Sequence, residues 1–107
     1  MLNTKQPIIK ADTFEKKREI IKQSLNISEN NSGNIARAFD ELSINISKFD
    51  IEEKLIRDGK VVGYVVRIED DLNNVYYLKI DRAGVGYRIY KDSLDGEIII
   101  IEGPWLT

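Results

Sequence analysis

The sequence contains no cysteine and no histidine. Without cysteine there is no disulfide, no thiolate nucleophile and no thiolate metal ligand, so the fold must be held by packing and hydrogen bonds. Without histidine there is no imidazole acid–base pair, no serine–histidine nucleophile and no His/Cys zinc site. Any enzyme chemistry would rest on carboxylates, lysines, hydroxyls or tyrosines, and no convincing constellation of these is visible. The expectation is a non-enzymatic protein that uses no cofactor. No stretch approaches the ~18 apolar residues of a membrane span. The opening MLNTKQPIIKAD lacks the sustained apolar run of a secretory leader, so a cytoplasmic location is expected.

Charge of one sign is also missing. The net charge is −2, with 8 basic and 7 acidic groups in residues 1–50 and 8 and 11 in residues 51–107. There is no basic arm to draw in nucleic acid or a membrane surface. What remains is a chain of 107 residues, 42% hydrophobic and 32% charged, which suits one globular domain.

Residues 1–11 read as a flexible lead-in, 12–50 as a helical part and 51–107 as a sheet part. Asp12 is placed to cap a helix whose Glu15 reaches back. Phe14, Ile21 and Leu25 form its apolar stripe with Ile20 beside it, while Lys16, Lys17, Glu19 and Lys22 form a solvated face. NISENNSGN is rich in turn formers and reads as a loop. A second helix is expected from Asn34, because Ile35, Phe39, Leu42, Ile46 and Phe49 recur at helical spacing. That stripe packs most simply on a core; it is too short for a coiled coil.

From about residue 53 the apolar period changes to alternation. Strands are expected over 53–57, 60–69, 75–81, 85–91 and 97–102. Asp58-Gly59 is a two-residue hairpin signal; further turns fall at Asp71 to Asn74, Ala83-Gly84 and Leu94 to Gly96. The fold class is therefore α+β: two N-terminal helices packed on a five-stranded, mostly antiparallel meander.

Alternation divides the sheet into two faces. Val62, Tyr64, Val66, Ile68, Tyr76, Leu78, Ile80, Val85, Tyr87 and Ile89 make a core face. Val61, Val65, Arg67, Val75, Tyr77, Lys79, Arg88 and Tyr90 make a second face, neither plainly polar nor plainly apolar. The run Ile98–Ile101, bracketed by Glu97 and Glu102, is apolar on both sides although it ends the meander. Helix cover on both faces, curling of the sheet, or a bound partner would each resolve that tension.

Candidate sites are few. Gly84-x-Gly86 lacks the third glycine and the following helix of a dinucleotide loop, so it reads as a turn with Gly84 in the left-handed region. Glu69, Asp70, Asp71 and Asp81 lack a calcium-loop pattern and read as solvated turns. Between positions 75 and 91 there are four basic groups and one acidic group, interleaved with tyrosines. Arg67, Tyr77, Lys79, Arg88 and Tyr90, with the C-terminal Trp105, are the candidate partner-binding residues: aromatic anchors with cations to direct hydrogen bonds. The expected function is protein binding, of the inhibitor, immunity or antitoxin-like type or a phage-encoded antagonist, by occluding a partner's site. One alternative is a single-strand nucleic-acid module using the same tyrosines and cations. The other is a homodimer through the second face or through Ile98–Ile101.

Overall fold

The computed structural model describes residues 9–84 and 86–106. Two helices, α1 (Phe14–Leu25) and α2 (Glu29–Glu41), precede five strands: β1 (Lys48–Arg57), β2 (Lys60–Glu69), β3 (Val75–Asp81), β4 (Gly86–Ser93) and β5 (Gly96–Gly103). Each strand pairs antiparallel with the next, giving the order β1-β2-β3-β4-β5. The expected α+β architecture is the observed one. Part of the expected lead-in, residues 1–8, lies outside the described residues, as does Val85. Ile9 and Ala11 are already tied in, through Ile9 N–H to Ser47 O and a reciprocal bridge between Ala11 and Ile46.

The helix boundaries depart from expectation. Thr13, not Asp12, caps α1: its Oγ1 accepts from Lys16 N at 3.2 Å. Asp12 instead pairs with Lys16 Nζ at 3.3 Å, which holds its carboxyl below the usual range. The expected loop is the start of α2. Ser28 supplies the cap, accepting from Asn31 N, and Gly33 is carried inside the helix near the Arg18 stem. The same helix stops near residue 42 rather than 49. Ser43 takes a left-handed φ of 57°, Ser43 N donates to Asp40 O, and Ile44 N donates to Phe39 O. This is the usual carbonyl-satisfying helix stop, with serine where glycine is common. Ile46 and Phe49 therefore leave the helix: Ile46 bridges to Ala11, and Phe49 pairs with Ile68 in β1.

Lys17 overturns the reading of a solvated face. It is 1% exposed, with Nζ 3.0 Å from Asp40 Oδ1 on α2. The buried cluster draws Ile21, Leu25, Ile35, Ala36 and Phe39 from the helices, and Val66, Ile68, Leu78, Ile80, Tyr87 and Ile89 from one face of the sheet. Those six sheet residues all belong to the expected core face. Val61, Val65, Val75 and Tyr77, from the opposite face, are not in that cluster. Both helices therefore cover the same side.

The turns are built as chemistry requires. Asp58 and Gly59 have φ of 52° and 75°, the two positive values of a tight hairpin. Asp70 is buried because its carboxylate organises the next turn: Oδ1 accepts from Leu72 N and Asn74 N, and Oδ2 from Asn74 Nδ2. It is not the solvated side chain expected. In the third turn the positive φ sits at Gly86 (124°) rather than Gly84. A Cβ on Gly86 would lie 2.4 Å from Gly103 O and 2.5 Å from Trp105 N, so only glycine lets the chain leaving β5 pass so close.

Candidate functional site

The face of the sheet away from the helices is the candidate interface. Its centre is a cross-strand pair: Tyr77 on β3 stands opposite Tyr90 on β4, with ring centroids 5.5 Å apart and planes at 19°. Tyr77 is half-buried and Tyr90 is 6% exposed. Tyr90 therefore supports the face from beneath, and Tyr77 presents aromatic surface to solvent. Burial, reinforced by the nearby Glu97 and Asp92 carboxylates, pushes the Tyr90 hydroxyl up to about 12.

The cations on this face are mostly occupied. Arg67 stands opposite Tyr77, and its Nη1 donates to Glu69 Oε2 at 2.9 Å. That hydrogen bond, more than any other influence, raises the pKa of the guanidinium. Lys48 on β1 approaches the same carboxylate at 3.9 Å. Arg88 lies between two glutamates, with Nη1 3.5 Å from Glu97 Oε1 and Nε 3.8 Å from Glu102 Oε2. Lys79, facing Arg88 across the β3–β4 pair, has no ion pair among the described residues. Lys79, Asp81, Gly84, Gly86, Tyr87 and Arg88 line a small recess of about 110 Å³ at this end of the sheet.

Five of the six candidate residues thus share one face, and Trp105 does not. Its ring packs against the helix-side cluster, with Arg82 Cζ 5.9 Å from its centroid. Lys91 also lies away from this face, its Nζ 5.0 Å from the Tyr76 ring centroid. Sequence alternation missed apolar members of the face, among them Leu55 and Ile99. Leu55 reaches across Gly63, where an added Cβ would be 3.1 Å from Leu55 Cδ1. Ile99 sits opposite Tyr90 because the β4–β5 register slips between Ile89 and Tyr90. Such slips leave no mark in the alternation of a run of identical residues.

The carboxylates considered for metal binding are spoken for. Asp70 and Asp81 close turns through backbone N–H groups, and Glu69 holds Arg67. Among the described residues no group of three or more acidic side chains is placed to hold a metal ion. No helix among them is long and apolar enough to cross a membrane.

No protein-family model, curated protein or solved structure matches this chain. The function must therefore be argued from the geometry of this one molecule.

Proposed function

We propose that the chain is a protein-binding domain that covers a site on its partner with the helix-free face of its sheet. The observation that carries this reading is the composition of that face once the helices are seen to share the other side. Tyr77, Val65, Val75 and Ile99 give it apolar and aromatic area, and the Arg67–Glu69 and Arg88–Glu97/Glu102 groups frame it. An aromatic centre within a polar rim is the anatomy of a protein interface. The rigid Tyr77–Tyr90 stack lowers the entropy lost when Tyr77 seats against a partner. A role as an inhibitor, or as an immunity or antitoxin-like antagonist, fits such a surface, since occlusion needs neither cofactor nor catalysis.

The pairing of arginines with glutamates favours protein over nucleic acid. A single-strand platform relies on cations free to meet phosphates, and here both arginines of the face, Arg67 and Arg88, are held by glutamates.

The test is affinity capture from the source cell with the intact chain, in parallel with a Tyr77→Ala/Lys79→Glu variant whose fold is checked by circular dichroism. The expected result is a protein recovered by the first and lost by the second. Equal recovery by both would remove the face from consideration. Salt-sensitive binding to a single-stranded oligonucleotide would move the assignment to nucleic acid.

A further inference from the structure

Strand β5 is a border of the sheet, so its outer row of backbone N–H and C=O groups has no strand beside it among the described residues. Ile98, Ile99 and Ile100 are 56%, 46% and 38% exposed. Between Gly96 and Gly103 there is no proline and no lysine, the residues that commonly blunt an edge. There are two glutamates instead.

Those glutamates are five positions apart and would lie on opposite faces of a regular strand. The register slip prevents this. Ile101 faces Ile89 and Ile99 faces Tyr90, so Ile100 is the extra residue of a bulge. Glu97, Ile99 and Glu102 consequently share one face, opposite Asp92, Tyr90 and Arg88. Arg88 touches both carboxylates, but at 3.5 and 3.8 Å. Charge-assisted hydrogen bonds are shorter, roughly 2.7–2.9 Å, so both carboxylates retain acceptor capacity. Asp92 and Asp95 add negative charge to the same border, with no ion pair among the described residues.

We propose that β5 accepts an added antiparallel strand from a partner protein, a segment with basic residues at positions i and i+4 and an apolar residue between them at i+2. The basic side chains meet Glu97 and Glu102, and the apolar one covers Ile99. Main-chain bonds supply the affinity and the side chains fix the register. The inference rests on the protein-binding reading but uses the sheet's edge rather than its face. A second copy fits less well. Two-fold pairing centred between Ile99 and Ile100 sets Glu97 of one copy against Glu102 of the other, and like charges directly opposite destabilise a strand pair. Any other register still doubles the acidic groups along the border.

The experiment is an NMR titration of the intact, isotope-labelled chain with the synthetic peptide Thr-Lys-Thr-Val-Thr-Lys-Thr. Shifts should concentrate on the amides of Gly96–Gly103. Replacing both peptide lysines by glutamate should weaken binding roughly tenfold. A Glu97→Lys/Glu102→Lys variant should reverse that preference, and Tyr77→Ala should leave the affinity unchanged. The last arm keeps a failure of the edge distinct from a failure of the face. Absence of shifts in β5, or equal affinity for the two peptides, would overturn the proposal. So would a dimer in the free protein with β5 amides protected from exchange, which would give the edge to a second copy.

Discussion

Lys17 joins the two helices through one ion pair of unequal partners: its own side chain is 1% exposed and that of Asp40 is 50% exposed. Removing the exposed partner should hurt more than replacing the buried one. Asp40→Ala leaves an ammonium with no counter-charge in an apolar setting, and the loss expected is about 1–3 kcal/mol. Lys17→Met keeps the packed stem and discards the charge, so its loss should be smaller. Urea midpoints at unchanged m-value would rank the two. Tyr90 carries the pH prediction. Its hydroxyl titrates near 10 when exposed and near 12 in the fold, with burial the leading cause. The folded state therefore holds the proton longer than the unfolded state. This contribution to stability is fully present below pH 10 and is lost as pH rises toward 12. Burial shifts Tyr76 and Tyr87 in the same direction. Thermal melts across that window, followed with tyrosinate absorbance, should show unfolding and ionisation together.

The elements show where local rules decided the structure and where they did not. The strands were legible because Asp58-Gly59 and the other turn residues cut the alternation at the right places, and because each hairpin is short. The end of α2 was not legible. Ile46 and Phe49 continue the helical spacing of Ile35, Phe39 and Leu42, so periodicity alone carries the helix too far. The stop is made by Ser43 at φ 57°, a conformation serine adopts at a cost and glycine does not. Ser43→Gly should therefore stabilise the protein by about 0.5–1 kcal/mol, seen as a higher melting temperature. The start of α2 was hidden for the opposite reason. Ser28, Asn30 and Asn31 are turn formers by composition, yet Ser28 here is a cap and Asn31 lies inside the helix. In the candidate face, Arg67, Tyr77, Lys79, Arg88 and Tyr90 could be placed by alternation. Ile99 could not, because the β5 bulge lies within a run of four isoleucines.

At the scale of the whole molecule, both helices cover one face of the sheet, and a contact spanning 75 positions ties α2 to the segment after β5. The tie runs through Asn31, 3% exposed at the start of α2. Its Nδ2 donates to Ser28 Oγ and, at 2.7 Å, to Leu106 O, and its Oδ1 accepts from Leu106 N at 2.8 Å. Asn31→Ala removes both bonds to Leu106 and leaves the Leu106 N–H and C=O without that partner. It should cost about 1–3 kcal/mol and loosen the Trp105 environment, visible as a shift in tryptophan emission. Nothing local announced this contact, since the two residues are 75 positions apart. Such a separation also orders events in time. A ribosome makes α2 early and Leu106 much later, and in between the Asn31 amide has its local partner Ser28 but not the two bonds to Leu106. The emerging chain can form its hairpins one after another, but the tie between α2 and the segment after β5 closes only when that late residue is free. Folding of this domain should accordingly end with a step that waits for Leu106, visible as late protection of the Asn31 side chain in pulse-labelled refolding.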